Sequence, residues 1–173
     1  MRTLKIAALT LALILAGCGG EEPTNSQKNP QNDPQASESK SPGSGGMNTS
    51  ELSTVTIRAS SGGKVRVRVE IADNPWGRVM GLRGRESLPE NRGMLFVHSE
   101  EQQLTFTMAD TPIPLSIAFI DSERRIIDIQ DMKPLDDEPP GYESAEPAQY
   151  ALEVNKGFFD ERGVKVGDRV ELP

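Results

Sequence analysis

The feature that most limits the fold of this chain is a long stretch with nothing to bury. From Gly19 to Ser50 there is no Val, Ile, Leu, Phe, Tyr or Trp, and nearly all residues are Gly, Pro, Ser or other polar types. Such a segment cannot offset the entropy lost on ordering, so we expect a disordered tether over residues 18–51. The core must then come from residues 52–173, which is the length of one ordinary domain.

The residues before the tether have the layout of a bacterial lipoprotein signal. Arg2 and Lys5 precede an apolar run that ends in Leu15-Ala16-Gly17-Cys18. We predict that residues 1–17 are cleaved and that acyl chains on Cys18 anchor the protein to a membrane. An uncleaved anchor is disfavoured, because a bilayer span needs about 20 apolar residues. Cys18 is the only cysteine, so disulfides within the chain and thiolate metal clusters are excluded.

Cleavage sets the expected charge, partners and location. Removing Arg2 and Lys5 leaves 17 basic against 26 acidic residues, a formal charge of 17 − 26 = −9. Such a surface repels phosphate backbones, so we expect no nucleic-acid partner. The expected partners are the membrane, reached through the lipid anchor, and an unidentified small molecule or envelope protein. The expected location is the cell envelope: the outer membrane if there are two membranes, because Gly19 rather than Asp follows Cys18, and otherwise the outer face of the plasma membrane.

Residues 52–173 carry the pattern of a mainly β domain. Residues 64–71 alternate strictly between charged and apolar, and a second strand at 53–58 precedes them across a Gly-rich turn. Asp73-Asn74-Pro75 predicts the start of a short helix, residues 157–163 suggest a helical turn, and the Pro- and acid-rich segment 133–147 suggests a long loop. Further strands are predicted at 93–98, 104–108, 115–121, 125–130, 149–154 and 168–172. The expected fold is a compact antiparallel β sandwich or barrel with one or two short helices.

Several blocks, in order along the domain, carry a family resemblance: RVMGLRGR (78–85), GMLFV (93–97), FTMADTPIPL (106–115), YALEVNKG (150–157) and the closing GVKVGD (163–168). The chain resembles the domain-of-unknown-function 192 family. The resemblance implies a compact, mainly β sandwich or barrel with a small helical element, often exported, and it implies no activity. The chain departs from the family at Thr107, Ala109 and Asp110, where a tryptophan, a basic residue and an asparagine are usual, and at Ser116, where an aspartate is common.

Polar residues within or beside these blocks are the candidates for a ligand site: Arg78, Arg85, Asp110, Glu153 and Asn155. An arginine can hold a carboxylate or phosphate through two parallel hydrogen bonds. Glu153 lies between two apolar residues, and an inward-pointing carboxylate there needs a partner. A buried structural pair between an arginine and Glu153 is therefore the favoured interpretation, with a ligand site as the alternative.

Besides Cys18, two residue types occur once each in the chain. Trp76, the only tryptophan, either stacks on a flat face of a ligand or staples the short helix to the sheet, and we favour the staple. His98, the only histidine, ends an apolar strand, and no Gly-x-Ser-x-Gly elbow occurs in the chain. We expect His98 on the surface and assign no catalytic residue.

Two metal sites can be drawn from the sequence. Met80, Met94 and Met108 could hold Cu(I) together with His98, whereas core packing is the simpler role for these methionines. A second set could bind Ca²⁺ through oxygen ligands: Asp121, Asp128, Asp131 and Asp136-Asp137-Glu138. No EF-hand pattern is present, so solvated loop charge is favoured. We predict no cofactor and no resident metal.

These patterns favour a non-catalytic binding or interaction module, tethered in the cell envelope, with a cleft beside the Trp76–Arg85 helix and the 133–147 loop. The alternative is a small envelope hydrolase-like enzyme in which Arg78, Arg85, Asp110 and Glu153 converge as an anion holder and an acid–base pair. The third interpretation is copper handling by the methionines and His98 named above. One observation separates the first two interpretations from a purely structural role: whether Arg78, Arg85 and Glu153 open into one pocket or close a buried pair.

Overall fold

The computed structural model describes residues 52–173, which contain the predicted β domain. The predicted signal peptide (1–17), Cys18 and the predicted tether lie outside the described residues. The strands are β1 (Ser53–Arg58), β2 (Lys64–Ala72), β3 (Arg92–Gln102), β4 (Thr105–Phe106), β5 (Leu115–Ile120), β6 (Ile126–Met132), β7 (Tyr142–Glu143), β8 (Ala148–Asn155) and β9 (Arg169–Glu171), and the helices are α1 (Pro75–Met80) and α2 (Phe158–Glu161). Over residues 52–173, neither helix is long and apolar enough to cross a membrane.

A seven-stranded sheet forms the body of the domain, in the order β6-β5-β8-β3-β2-β1-β9. Its neighbouring strands are antiparallel except β2 and β3, which run parallel because residues 73–91, including α1, cross between them. A bridge between Arg125 and Arg169 joins the free edge of β9 to the start of β6, so the sheet curls into a half-closed barrel. The mainly β fold with two short helices is confirmed, whereas the prediction of a purely antiparallel sheet is wrong at this one pair.

The alternating sequence of β2 gives the sheet two chemically different faces. Val67 and Val69 are fully buried, while Arg66 and Arg68 point to the other side and are exposed, as predicted. The buried side joins the inner core of the curled sheet, which Phe158 and Phe159 of α2 help to fill. This inner face stabilises the barrel through apolar burial.

The other face of β3, β5 and β8 carries a second core. Met94, Phe96 and Ile117 lie on this face and pack against Leu82 and Met108 from the chain segments that cover it. Part of the cover is a two-stranded sheet of β4 and β7. The segment 133–147, predicted as an unstructured loop, therefore contributes a short strand, whose neighbour Ser144 accepts a hydrogen bond at Oγ from the Leu104 N–H (3.1 Å).

The helix α1 begins as its sequence predicts. The Asn74 side chain accepts a hydrogen bond from the Gly77 N–H (2.8 Å), and Pro75 occupies the first turn, where its missing N–H costs nothing. The helix ends at Gly81, which has φ 49°. This left-handed turn directs residues 82–85 back over the second face of the sheet.

Candidate functional site

A cavity of about 470 Å³ lies between the second face of the large sheet and the segments that cover it. Residues of β3, β5 and β8 form its floor, and residues 78–83 and 102–108 form its sides. Its volume is in the range of pockets that hold small organic molecules. The cavity lies beside the short helix, as expected for the cleft, but residues 133–147 do not line it.

Glu153 is the buried polar group of the cavity floor. It lies in β8 between Met94 of β3 and Ile117 of β5, and its residue surface is only 5% exposed. Its carboxyl group forms no hydrogen bond or ion pair with the described residues. The side chain thus takes the inward direction for which the sequence argument required a partner, but the favoured arginine partner is absent from the described part of the chain.

Burial explains how this carboxyl is tolerated. Desolvation disfavours the charged form and raises the pKa of Glu153 from 4.5 to about 8. At pH 7 the group is therefore mostly protonated and can donate one O–H hydrogen bond into the cavity. Neutralisation takes the place of the counter-ion that the sequence argument required.

Arg78 supplies positive charge to the same cavity. Its Nη1 donates to the Val97 carbonyl oxygen (3.1 Å), and no described acid forms an ion pair with it. A guanidinium has five N–H donors, so most of them remain for other partners. The side chain is half-buried at the cavity, where its charge is screened less than in bulk water.

His98 lies near Arg78 and is partly exposed, as expected, and it also lines the cavity. Gln102 Nε2 lies 3.0 Å from His98 Nδ1, so a neutral imidazole accepts there. Burial first, and then the charge of Arg78, lower the pKa of His98. The imidazole is thus neutral at pH 7 and adds no charge to that of Arg78.

Between these polar groups the cavity wall is apolar. Phe96 of β3 and Phe106 of β4 meet edge to face, with ring centroids 4.9 Å apart. Met108 and Leu115 extend the wall towards Glu153. A ligand that fits here presents an apolar or aromatic body to these side chains.

The register of β3 shows that the two polar ends are well separated. Glu153 pairs with Met94, while Arg78 bonds the carbonyl of Val97, three residues further along the strand. At about 3.3 Å per residue, the two levels are roughly 10 Å apart. Consistent with this separation, desolvation alone shifts the pKa of Glu153, with no contribution from the charge of Arg78.

Two of the sequence candidates hold other parts of the protein. Arg85 binds Glu70 of β2 through two hydrogen bonds (2.7 and 2.6 Å) and does not line the cavity. Asp110 accepts a hydrogen bond from Arg83 Nη1 (3.0 Å) at the exposed rim, and it is also outside the lining. The expected convergence of Arg78, Arg85, Asp110 and Glu153 is therefore not formed, and only Arg78 and Glu153 share the cavity.

Asn155 and Trp76 lie outside the cavity as well. Asn155 Nδ2 donates to the Leu88 carbonyl oxygen (2.9 Å), which fastens the chain before β3 to the end of β8. Trp76 is 73% exposed on α1. The favoured role of Trp76 as a staple between helix and sheet is wrong, because a side chain so exposed contributes little packing.

The residues proposed as metal ligands do not all lie at one site in the structure. Met80, Met108 and His98 line the cavity, but Met94 packs within the second core. The acids proposed for Ca²⁺ bond to protein groups instead: Asp121 to Arg125, Asp128 to Gln130 and Asp131 to Ser116. Within residues 52–173 no cluster of three or more His, Cys, Asp or Glu side chains is suited to a metal ion.

The aromatic wall of the cavity was not predicted from the sequence. Phe96 and Phe106 lie inside blocks that were identified, and the strand patterns placed them in a core. Only the strand register shows that Phe96 shares a sheet face with Glu153 and His98. The sequence signal was the alternation Met94-x-Phe96-x-His98, which places three side chains on one face.

Comparison with known proteins gives one family and no activity. Residues 56–172 match the DUF192 family model, which is described as an uncharacterized group. A UPF0127 protein from Pyrococcus furiosus is 26% identical over 117 residues, which are 66% of this chain and 95% of that protein. Such relatives consist of little beyond the domain.

Two solved structures are similar to this fold. A Sinorhizobium meliloti protein that carries the provisional name of a transcription regulator has a TM-score of 0.66 and 32% identity, over 70% of this chain and 94% of that one. A protein of unknown function from Novosphingobium aromaticivorans has a TM-score of 0.64 and 34% identity, over 68% of this chain and 83% of that one.

Proposed function

This chain belongs to the DUF192 family, and from that premise we propose that it is a non-catalytic module that binds a small molecule in the cavity beside α1. We further propose that acyl chains on Cys18 hold the module in the cell envelope. The sequence motif Leu15-Ala16-Gly17-Cys18 supports this location. The domain can then sample solutes outside the inner membrane.

The observation that carries the binding proposal is a buried, unpartnered carboxyl facing a cavity that also holds an unpaired arginine. Glu153 forms no hydrogen bond with a described residue, and no fully buried side-chain oxygen of the described residues lacks a partner, so its carboxyl oxygens reach the cavity and can bind a ligand there. Arg78 selects an anionic group, preferably a carboxylate held by two N–H donors. Phe96 and Phe106 select an apolar body, and protonated Glu153 donates to an oxygen at the far end.

A hydrolase-like enzyme is the second candidate, and one observation favours it. A carboxylic acid with a pKa of about 8 can deliver a proton near neutral pH, as general acids do. However, Asp110 and Arg85 lie away from Glu153, so the acid–base pair proposed from the sequence is not assembled. Binding therefore ranks above catalysis.

Two other roles rank lower. Cu(I) binding retains Met80, Met108 and His98 at one cavity, but it loses Met94 from its ligand set. Regulation of transcription, which the name of the Sinorhizobium relative suggests, is disfavoured because the motif Leu15-Ala16-Gly17-Cys18 is typical of exported proteins. We expect no nucleic-acid partner.

The binding proposal is tested with the domain 52–173, since relatives of this length exist as whole proteins. Ligand-observed NMR would compare aryl carboxylates, such as 3-(4-acetylphenyl)propionate, with their matched primary amides. We expect the carboxylates to bind more tightly, and Arg78→Ala to weaken their binding at least tenfold because the charged hydrogen bonds are lost.

Lys133→Ala is the matched control, because it removes a positive charge from an exposed site outside the cavity lining. It should leave carboxylate binding unchanged. Equal binding of carboxylates and amides, or equal binding by wild type and Arg78→Ala, would contradict the anion-binding role of the cavity.

A further inference from the structure

One exposed face of the sheet is strongly basic in a protein that is acidic overall. Strand register places its cations on the same side: Arg58↔Lys64 and Arg58↔Arg169 are cross-strand partners, as are Arg68 and Arg92, while Arg66 points the same way as Arg68. We call these six residues, Arg58, Lys64, Arg66, Arg68, Arg92 and Arg169, the basic face. All are exposed except Arg92, which is half-buried.

Most of this charge is not neutralised by neighbouring acids. Arg58 forms an ion pair with Glu171, and Glu70, on the same side of the sheet, is occupied by Arg85. The other five cations of the basic face have no ion pair with any described residue. The whole chain has a formal charge of −7, so this face is opposite in sign to the rest of the surface.

Folding alone does not account for this arrangement. Like charges opposite each other on neighbouring strands destabilise a sheet, as at Arg68↔Arg92, whereas Arg58 opposite Lys64 is compensated by its ion pair with Glu171. The flanking strand positions on this side, Thr54 and Thr56, are polar and uncharged, so they do not relieve the repulsion. A polyanionic partner would relieve it.

We propose that the basic face docks the domain onto a membrane surface of anionic phospholipid headgroups. Charge complementarity supports this partner, because each arginine can hold a phosphate through two N–H donors and clustered cations bind anionic lipid. The chain also enters the domain at β1, whose first residue, Ser53, follows Cys18 by 35 residues. The basic face is thus carried partly by the strand nearest in sequence to the lipid anchor.

This proposal rests on the envelope location proposed above, but not on the cavity. None of the six cations lines the cavity. Nucleic acid is the other polyanion that such a face could bind, and the export motif favours lipid over it. The test therefore includes both surfaces.

The experiment uses the unacylated domain 52–173 and sedimentation with vesicles. Vesicles of phosphatidylcholine containing about one third phosphatidylglycerol are compared with pure phosphatidylcholine at low salt, where the attraction of cations to anionic headgroups is least screened. We expect binding to the anionic vesicles only, reversed by 0.5 M NaCl because screening removes the attraction. The triple variant Lys64→Glu/Arg66→Glu/Arg68→Glu should bind at least tenfold more weakly.

A matched control reverses three exposed lysines elsewhere, Lys133→Glu/Lys156→Glu/Lys165→Glu, and so makes the same change in net charge. This control should retain most of the vesicle binding. Equal losses in the two triple variants would show that only net charge matters and would overturn the proposal, as would tighter binding to a DNA duplex than to anionic vesicles at the same salt. Carboxylate binding in the cavity should survive in both variants, so failure of the docking face is distinguishable from failure of the binding function.

Discussion

Glu153 lowers the stability of the fold at neutral and high pH, but it supplies a polar group to the cavity. A leucine or methionine at this floor position would pack beside Met94 and Ile117 without any desolvation cost. The carboxyl instead retains its proton at neutral pH, since burial raises its pKa to about 8. A neutral acid in a partly apolar cavity can donate a hydrogen bond that is stronger than the same bond in bulk water.

The cost of Glu153 should appear as a pH dependence of stability. The folded state holds this proton up to about pH 8, while the unfolded chain releases it near pH 4.5. Between these values the folded state binds more protons, so the free energy of unfolding falls as the pH rises. The loss by pH 9 is on the order of 4 kcal/mol. Glu153→Gln removes it, so the variant should match wild type at pH 4 and exceed it at pH 9 in urea unfolding.

Glu146→Gln is the control for that measurement. Glu146 is an exposed acid, and its substitution changes net charge in the same way without touching the cavity. Its unfolding free energy should follow that of wild type across the pH range. If Glu153→Gln also ran parallel to wild type from pH 4 to 9, the buried acid would not be protonated as described.

At the scale of elements, the contact between β3 and β8 sets the position of Glu153. A Cβ atom added at Gly93 would lie 2.4 Å from the Glu153 carbonyl oxygen and 3.0 Å from Cγ1 of Val154. Backbone cannot move aside as a flexible side chain can. Gly93 is therefore required by the close approach of these two strands.

Gly93→Ala should destabilise the domain by about 1–3 kcal/mol in urea unfolding, because the methyl group forces the two strands apart. It should also weaken carboxylate binding, since Glu153 moves with its backbone. Gly63→Ala is the matched control: its added Cβ meets nothing within 4 Å, so its effect should stay within about 0.5 kcal/mol. A Gly93→Ala domain as stable as the control would show that β3 and β8 are less closely packed than this.

Much of the sheet could be predicted from local pattern. The alternation in Lys64–Ala72 and the Asn74-Pro75 start of α1 are local signals, and both elements form as predicted. The parallel pairing of β2 with β3 could not be predicted in this way, because it depends on how residues 73–91 cross the sheet. The strand β7 was missed because two residues, Tyr142 and Glu143, are too few to show a period.

Only part of the candidate site could be predicted, because local sequence patterns name polar residues but do not show which of them the fold brings together. The burial of Glu153 does not follow from its apolar neighbours Leu152 and Val154, because adjacent strand residues face opposite sides of the sheet and only the fold shows that its own side is covered. The ion-pair partners of the arginines could not be predicted either, because several arginines lie in the same sequence blocks. Only the folded structure shows that Arg85 pairs with Glu70. Arg85 is paired with Glu70, whereas Arg78 has no ion pair with a described residue. This difference identifies Arg78 as the arginine that is available to bind an anion in the cavity.

At the scale of the whole molecule, the basic face and the lipid anchor would act on the same membrane. The tether predicted from the sequence of residues 18–51 would keep its ends within about 30 Å on average, so even weak attraction at the face would act at high local concentration. Two weak signals together hold a protein to a bilayer better than either alone. None of the basic face lines the cavity, so the two features use different residues.

The anchor itself has a direct chemical signature. Cys18 is the chain's only cysteine, so acylation through a thioether leaves the mature protein with no free thiol. Full-length protein expressed in a bacterial host should therefore fractionate with membranes and show no mass shift with maleimide–polyethylene glycol after denaturation. Cys18→Ser, which cannot form the thioether, should lose the acyl chains and retain residues 1–17, since processing requires the modified cysteine. A soluble wild-type protein that reacts once with the maleimide would refute the anchor, and the vesicle experiment on residues 52–173 would then have to stand without it.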